Sequence, residues 1–203
     1  MLTNQVTSPV NRLPMNALEP ISGDPAERKN QTPNEPLIYQ PHWINGGARH
    51  PGLIVETPGL ANVVPPPITY QPTLPHQLSN LGHLSAFQFE RVIYAGVAHQ
   101  SRLPNGARAG ISIGDGTGAG KTATLAGIIL DNWLRGRRKA VWISKSDKLI
   151  EDAQRDWSAL GMERLLVTPL SRFPQGKTIL LSEGVLFTTY ATLRSDDRAE
   201  KIS

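Results

Sequence analysis

The residues with the most definite chemistry are GDGTGAGKT, residues 114–122. Glycines at 116, 118 and 120 clear side chains from the path of the backbone, so successive N–H groups can turn inward as an anion nest. Lys121 can reach the terminal phosphates of a nucleotide, and the Thr122 hydroxyl can ligate a bridging Mg²⁺. The set expected to hold the ligand is Asp115, Gly116, Thr117, Gly118, Ala119, Gly120, Lys121 and Thr122, with Thr122 as the metal ligand. The ligand such a set predicts is ATP or a similar nucleoside triphosphate with Mg²⁺. The pattern G-x-x-x-x-G-K-[ST] asks for glycine five residues before Gly120, where this chain has Asp115. The competing reading is a flexible glycine turn that happens to precede Lys-Thr. Sequence context separates the two, because a phosphate loop must follow a strand and open a helix, whose N-terminal partial charge completes the site.

That context is present. AGISI, residues 109–113, predicts a short apolar strand before the loop. Residues 121–135 predict a helix with Leu125, Ile128, Ile129 and Trp133 on its core face and Gly136 as its stop. A strand at 139–143 follows. Ser146 then caps a helix with the apolar face Leu149, Ile150, Ala153, Trp157 and Leu160, ended by Gly161. Residues 164–170 and 178–190 carry further strands, with Val185, Leu186 and Phe187 at the centre of the last. Upstream, residues 84–100 space Leu84, Phe87, Val92, Ala95 and Val97 as an amphipathic helix capped by Ser85. Strands separated by helices mean βαβ units and a parallel sheet, so the fold class is α/β.

Proline divides the chain. Of 17 prolines, 14 precede residue 80. Each removes a backbone donor and blocks a helix interior, which rules out a regular packed domain there. Residues 1–36 read as disordered or linker. Residues 37–80 read as a Pro-rich extended arm whose Trp43, tyrosines and Leu53-Ile54-Val55 run seek burial against the ATPase lobe. Residues 81–203 read as the NTPase domain. The net charge of +4 permits an anionic partner without requiring one. No cysteine is present, which excludes disulfides and cysteine-based zinc. No apolar run is long enough to cross a membrane and the first residues lack a signal-peptide pattern, so a cytoplasmic protein is expected.

The order of several segments is specific. HPGLIVETPGLANVVPPPITYQPTLP, LSAFQFERVIYAGVAH, LPNGARAGISIGDGTGAGKTATLAGIILDNWLRGRRKAVWISKSDKLIEDAQRDWSALG and VLFTTYATLRS together resemble the strawberry notch family of helicase-like ATPases. The resemblance runs over about residues 40–196 and implies a partial RecA-like P-loop NTPase lobe. In bacteria such proteins are often joined to a DNA methylase. Within superfamily 2, Swi/Snf-type translocases use D-x-x-G-x-G-K-T, and Asp115 to Thr122 resembles that form, so Asp115 marks a subclass. Many relatives have Gly-Lys-Gly at the loop's end, whereas Thr122 here restores the Mg²⁺ hydroxyl. The resemblance implies that Gln88 reads adenine; the alternative is a solvent-facing glutamine on a helix. It implies that Ser144, Lys145 and Ser146, and then Thr188 and Thr189, lie along a nucleic-acid track, with DNA the first choice. The alternatives are a helix cap with a solvated lysine and ordinary strand residues. Arg135, Arg137, Arg138 and Lys139 read as a solvated basic turn.

A helicase-type ATPase also needs an apolar strand ending in a D-E-x-H-like motif, whose carboxylates hold Mg²⁺ and activate water. No such strand occurs in these 203 residues, and no catalytic residue is assigned. Asp196 and Asp197 follow no apolar strand, and Glu151 with Asp152 reads as a solvated helix face. The expectation is an incomplete NTPase domain that binds nucleotide without efficient turnover and whose partner is a further helicase part. The alternatives are a non-enzymatic remnant or interaction fragment and, more remotely, a small P-loop kinase.

Overall fold

A computed structural model of the chain describes residues 35–42, 48–75, 77–174 and 176–194. The readings of residues 1–34, Trp43, Asp196 and Asp197 lie outside these. The chain divides into two compact units, with the boundary between Ile111 and Ser112.

In the first unit, the prolines limit the arm to short elements. Strand β1 (Leu37–Ile38) pairs antiparallel with β2 (Val55–Glu56), Ile38 lying opposite Val55. Helix α1 (Pro58–Ala61) is one turn long, with Thr57 Oγ1 accepting from the Leu60 N–H at 3.3 Å. Helix α2 (Gln77–Asn80) is equally short. The expected long helix is α3 (Ala86–Gln100), and it begins with a reciprocal capping box between Ser85 and Gln88. Its buried side chains include Phe87, Phe89, Val92, Ile93 and Ala95. Gly96 faces Tyr70 so closely that a Cβ there would lie 2.0 Å from the ring, so the glycine is what admits the buried tyrosine.

The arm is fastened to α3 by a polar joint that sequence patterning does not signal. Glu90 is fully buried. It accepts hydrogen bonds from the Tyr39 hydroxyl, from the His42 N–H at 2.6 Å and from Arg91 at 3.3 Å. The Arg91 guanidinium lies 4.1 Å from the Phe87 ring centroid and 4.7 Å from that of Tyr39. A buried carboxylate is tolerable only when donors surround it, as here. Burial first, and then the Glu90 charge, push the Tyr39 phenol well above its ordinary pKa, with Arg91 opposing. The aliphatic run of the arm departs from expectation. Leu53 is 73% exposed and Val55 50% exposed, because a two-stranded ribbon offers little surface to bury against.

The second unit carries the sheet. Helix α4 (Lys121–Leu134) leads to β3 (Lys139–Ser144), and a short 3₁₀ turn leads to α5 (Ile150–Ala159). Strand β4 (Val167–Pro169), β5 (Gly184–Thr189) and α6 (Tyr190–Arg194) complete it. The three strands are parallel in the order β3-β5-β4, with Val141 beside Leu186, Ser144 beside Thr189 and Val167 beside Val185. Central β5 is buried along its whole length, as its Val-Leu-Phe core predicts. Gly184 opens it at φ +126°, and a Cβ there would sit 2.7 Å from the Leu166 carbonyl oxygen.

Three local expectations change. Residues 109–113 form no strand, since among the described residues no neighbouring strand offers them a ladder. The buried face of α4 is Thr124, Ala126, Gly127, Leu130 and Asp131, while Leu125 is 39% exposed. The helix is apolar over most of its circumference, so hydrophobicity alone does not select a face. Ser146 caps the 3₁₀ turn at 147–149 rather than the α-helix directly. Gly136 ends α4 as expected: at φ +86° its N–H reaches the Trp133 carbonyl, while the Arg137 N–H reaches that of Asn132.

Candidate nucleotide loop and strand-end surface

The glycine loop enters α4 without a side-chain cap. Gly118 and Gly120 have φ of +89° and +68°, the left-handed region where a side chain would be strained. Gly120 is the N-cap residue of α4. The first-turn N–H groups of a helix have no intrahelical acceptors, and here they meet a loop of small residues, the arrangement that receives phosphate. Residue 115 behaves differently: no described non-glycine residue has positive φ, so Asp115 fills the usual glycine position without backbone strain. Added Cβ atoms at Gly114 and Gly116 would meet nothing within 4 Å.

Lys121 lies back along the loop. Its ammonium donates to the carbonyl oxygens of Asp115 and Gly116, both at 2.8 Å, holding the start of the loop against its end. Thr122 is half-buried in the first helical turn, and Ala119 is buried. Thr124, which the motif does not include, is fully buried, and its Oγ1 donates to the Gly120 carbonyl at 3.4 Å. A threonine two residues after the motif's own could have been suspected from its habit of bonding back to the i−4 carbonyl. Nest, helix terminus, ammonium and hydroxyl together fit a triphosphate with its Mg²⁺. Among the described residues no group of three or more His, Cys, Asp or Glu is placed to hold a metal on its own.

The second cluster lies at the carboxyl ends of β3 and β5. Ser144 and Thr189 are register partners, 9% and 3% exposed. Lys145 is exposed and Ser146 half-buried. The Ser146 Oγ accepts from the Lys148 N–H at 3.3 Å, and the Thr189 Oγ1 accepts from the Thr192 N–H at 3.2 Å. Thr188 is buried, and its Oγ1 has no hydrogen-bond partner among the described residues. The fold therefore brings Ser144, Lys145, Ser146 and Thr189 to one sheet edge, the edge where open α/β sheets receive ligands. It also gives Ser146 and Thr189 capping duties.

Gln88 belongs to the first unit. It is 8% exposed, so the solvent-facing alternative does not hold. Its Oε1 accepts from the Ser85 N–H at 2.9 Å and from the Ser85 hydroxyl at 3.0 Å. The basic turn is occupied with its surroundings. Arg135 pairs with Asp131 at 3.7 Å, Arg137 donates to Asn132 at 2.7 Å, and Arg138 meets Glu183 at 3.3 Å. Lys139 is exposed.

Among the described residues no helix is long and apolar enough to cross a membrane. Residues 49–203 match the family model described as P-loop containing NTP hydrolase pore-1. The chain is 45% identical over 160 residues to protein strawberry notch of Drosophila melanogaster, covering 76% of this chain and 10% of that protein. It is 47% identical over 161 residues to human strawberry notch homolog 2, covering 79% and 12%. It is 39% identical over 180 residues to protein FORGETTER 1 of Arabidopsis thaliana, covering 86% and 14%. The chain thus spans only about a tenth to a seventh of the length of these relatives. No solved structure matches it.

Proposed function

This chain belongs to the strawberry notch family of helicase-like P-loop NTPases, and from that membership we propose that it is an ATP-binding segment of an enzyme that works on nucleic acid. The observation that carries the reading is the left-handed Gly118-x-Gly120 turn delivering Lys121 and Thr122 at the open N-terminus of α4. In this proposal the loop N–H groups hold the phosphates and Lys121 moves from the loop carbonyls to the terminal phosphate. Thr122 would hold Mg²⁺, which would supply neutralisation of phosphate charge. Adenine selection by Gln88 rests on the family resemblance.

Hydrolysis needs a carboxylate that orients water, and among the described residues no strand ends in an Asp-Glu pair. We therefore propose binding without efficient turnover by this chain alone. The nucleic-acid surface is the β3–β5 edge with Ser144, Lys145, Ser146, Thr188 and Thr189, and DNA is the proposed strand. The free outer edge of β3, among the described residues, supports a further helicase segment as partner. The same edge favours a second reading, a non-enzymatic interaction fragment.

The deciding experiment is titration with a fluorescent ATP analogue and Mg²⁺, paired with phosphate release with and without DNA. Saturable binding lost in Lys121→Ala, with no turnover, is expected. Turnover by the wild-type chain would overturn the division of labour, and absence of binding would leave the interaction reading.

A further inference from the structure

The strand-end surface carries an aromatic side chain that no phosphate contact explains. Tyr190 follows Thr189 directly and opens α6, and it is 64% exposed. The apolar face of an exposed tyrosine ring gains from burial, and a flat partner can cover it while the hydroxyl stays in water. Arg194 lies one helical turn further along α6 and is also exposed. Residues four apart share a helix face, so ring and guanidinium stand on the same side. By register, Thr189 sits beside Ser144, and exposed Lys145 follows at the end of β3. One edge of the sheet thus offers hydroxyls, two cations and one open ring. The acidic group on the adjoining turn, Asp147, lies between Ser146 and Lys148, with Lys145 one residue further back.

Resting on the proposed nucleic-acid role of this edge, we propose that Tyr190 stacks on an unpaired base and makes the surface prefer single-stranded over duplex nucleic acid. Phosphate contacts position a strand without regard to pairing, whereas a stacking ring needs an exposed base face. In a duplex those faces are covered by neighbouring base pairs, so the ring contributes only to a single strand. Lys145 and Arg194 hold the backbone on either side, and this part of the binding is common to both forms. Any base can stack, so the preference is for strandedness, and DNA and RNA single strands are treated alike at this position.

The test is fluorescence anisotropy with a labelled single-stranded DNA, its RNA equivalent, the matching blunt DNA duplex and an abasic single strand, using the full chain. Wild type is expected to bind both normal single strands more tightly than the duplex or the abasic strand. Tyr190→Ala should weaken normal single strands about fivefold or more, within the range of one lost base stack, and leave the duplex and abasic strands unchanged. Tyr190→Phe should restore single-strand affinity, because the ring and not the hydroxyl acts. Arg194→Ala should weaken all four and reduce the salt dependence. Single-strand binding unchanged by Tyr190→Ala overturns the stacking role while leaving the nucleic-acid reading standing. A wild-type chain that binds none of the four removes both.

Discussion

Lys121 has two sets of partners within reach, the loop carbonyls it holds and the phosphate it is proposed to hold. Removing it as Lys121→Ala should abolish the thermal upshift given by Mg-ATP, which for wild type is about 2–3 kcal/mol at a hundredfold excess over Kd. The ligand-free melting point should move little, because the lysine is exposed; a large loss without ligand would contradict this. Gly184 is a sharper structural test. Gly184→Ala forces a Cβ to 2.7 Å from a carbonyl in a φ region that side chains avoid, so a loss of about 2 kcal/mol or more is expected in urea unfolding. The loop residues were legible in the sequence because their chemistry is local: eight consecutive residues make the nest, the cation and the metal hydroxyl. Glu90 was not legible. Its partners Tyr39 and His42 lie 51 and 48 residues upstream, and nothing in local spacing announces a buried carboxylate.

At the level of elements, the joint between arm and α3 makes two predictions. Tyr39→Phe removes one donor from a fully buried carboxylate and should cost about 1–3 kcal/mol. It should also change the response to alkali. The folded phenol holds its proton above its ordinary value, so the unfolded chain ionises first as pH passes about 10. Stability from this group is complete below that pH and falls as pH rises. Tyr39→Phe should flatten that decline, as read from urea midpoints between neutral and alkaline buffer; an unchanged slope would assign the alkaline loss elsewhere. Helices and stops were the readable elements. Ser85, Gly136 and Gly161 mark ends by backbone geometry that belongs to the residue itself. The face of α4 and the strand at 109–113 were not readable, because both depend on which neighbours a segment finds. An apolar helix has several faces to choose from, and a strand exists only where another strand lies beside it.

For the whole molecule, the sheet edge governs solution behaviour. Val141 is 62% and Ile143 39% exposed, on a six-residue strand with no outer neighbour among the described residues. Such an edge invites pairing with other chains. Val141→Lys should lower concentration-dependent light scattering without changing the melting point, and equal scattering would clear this edge of responsibility. The boundary between Ile111 and Ser112 was not legible either. The change in composition near residue 80 marks where prolines stop, whereas the compact unit extends through α3, which buries Tyr70 of the arm. The far end of α4 has one more consequence. Trp133 and Trp157 meet edge to face at 5.8 Å and 69°. Two indoles so close and so inclined should couple their strong short-wavelength transitions, giving paired bands of opposite sign in far-ultraviolet circular dichroism. Docking of the loop's helix on α5 thus carries its own optical signature, readable without a label.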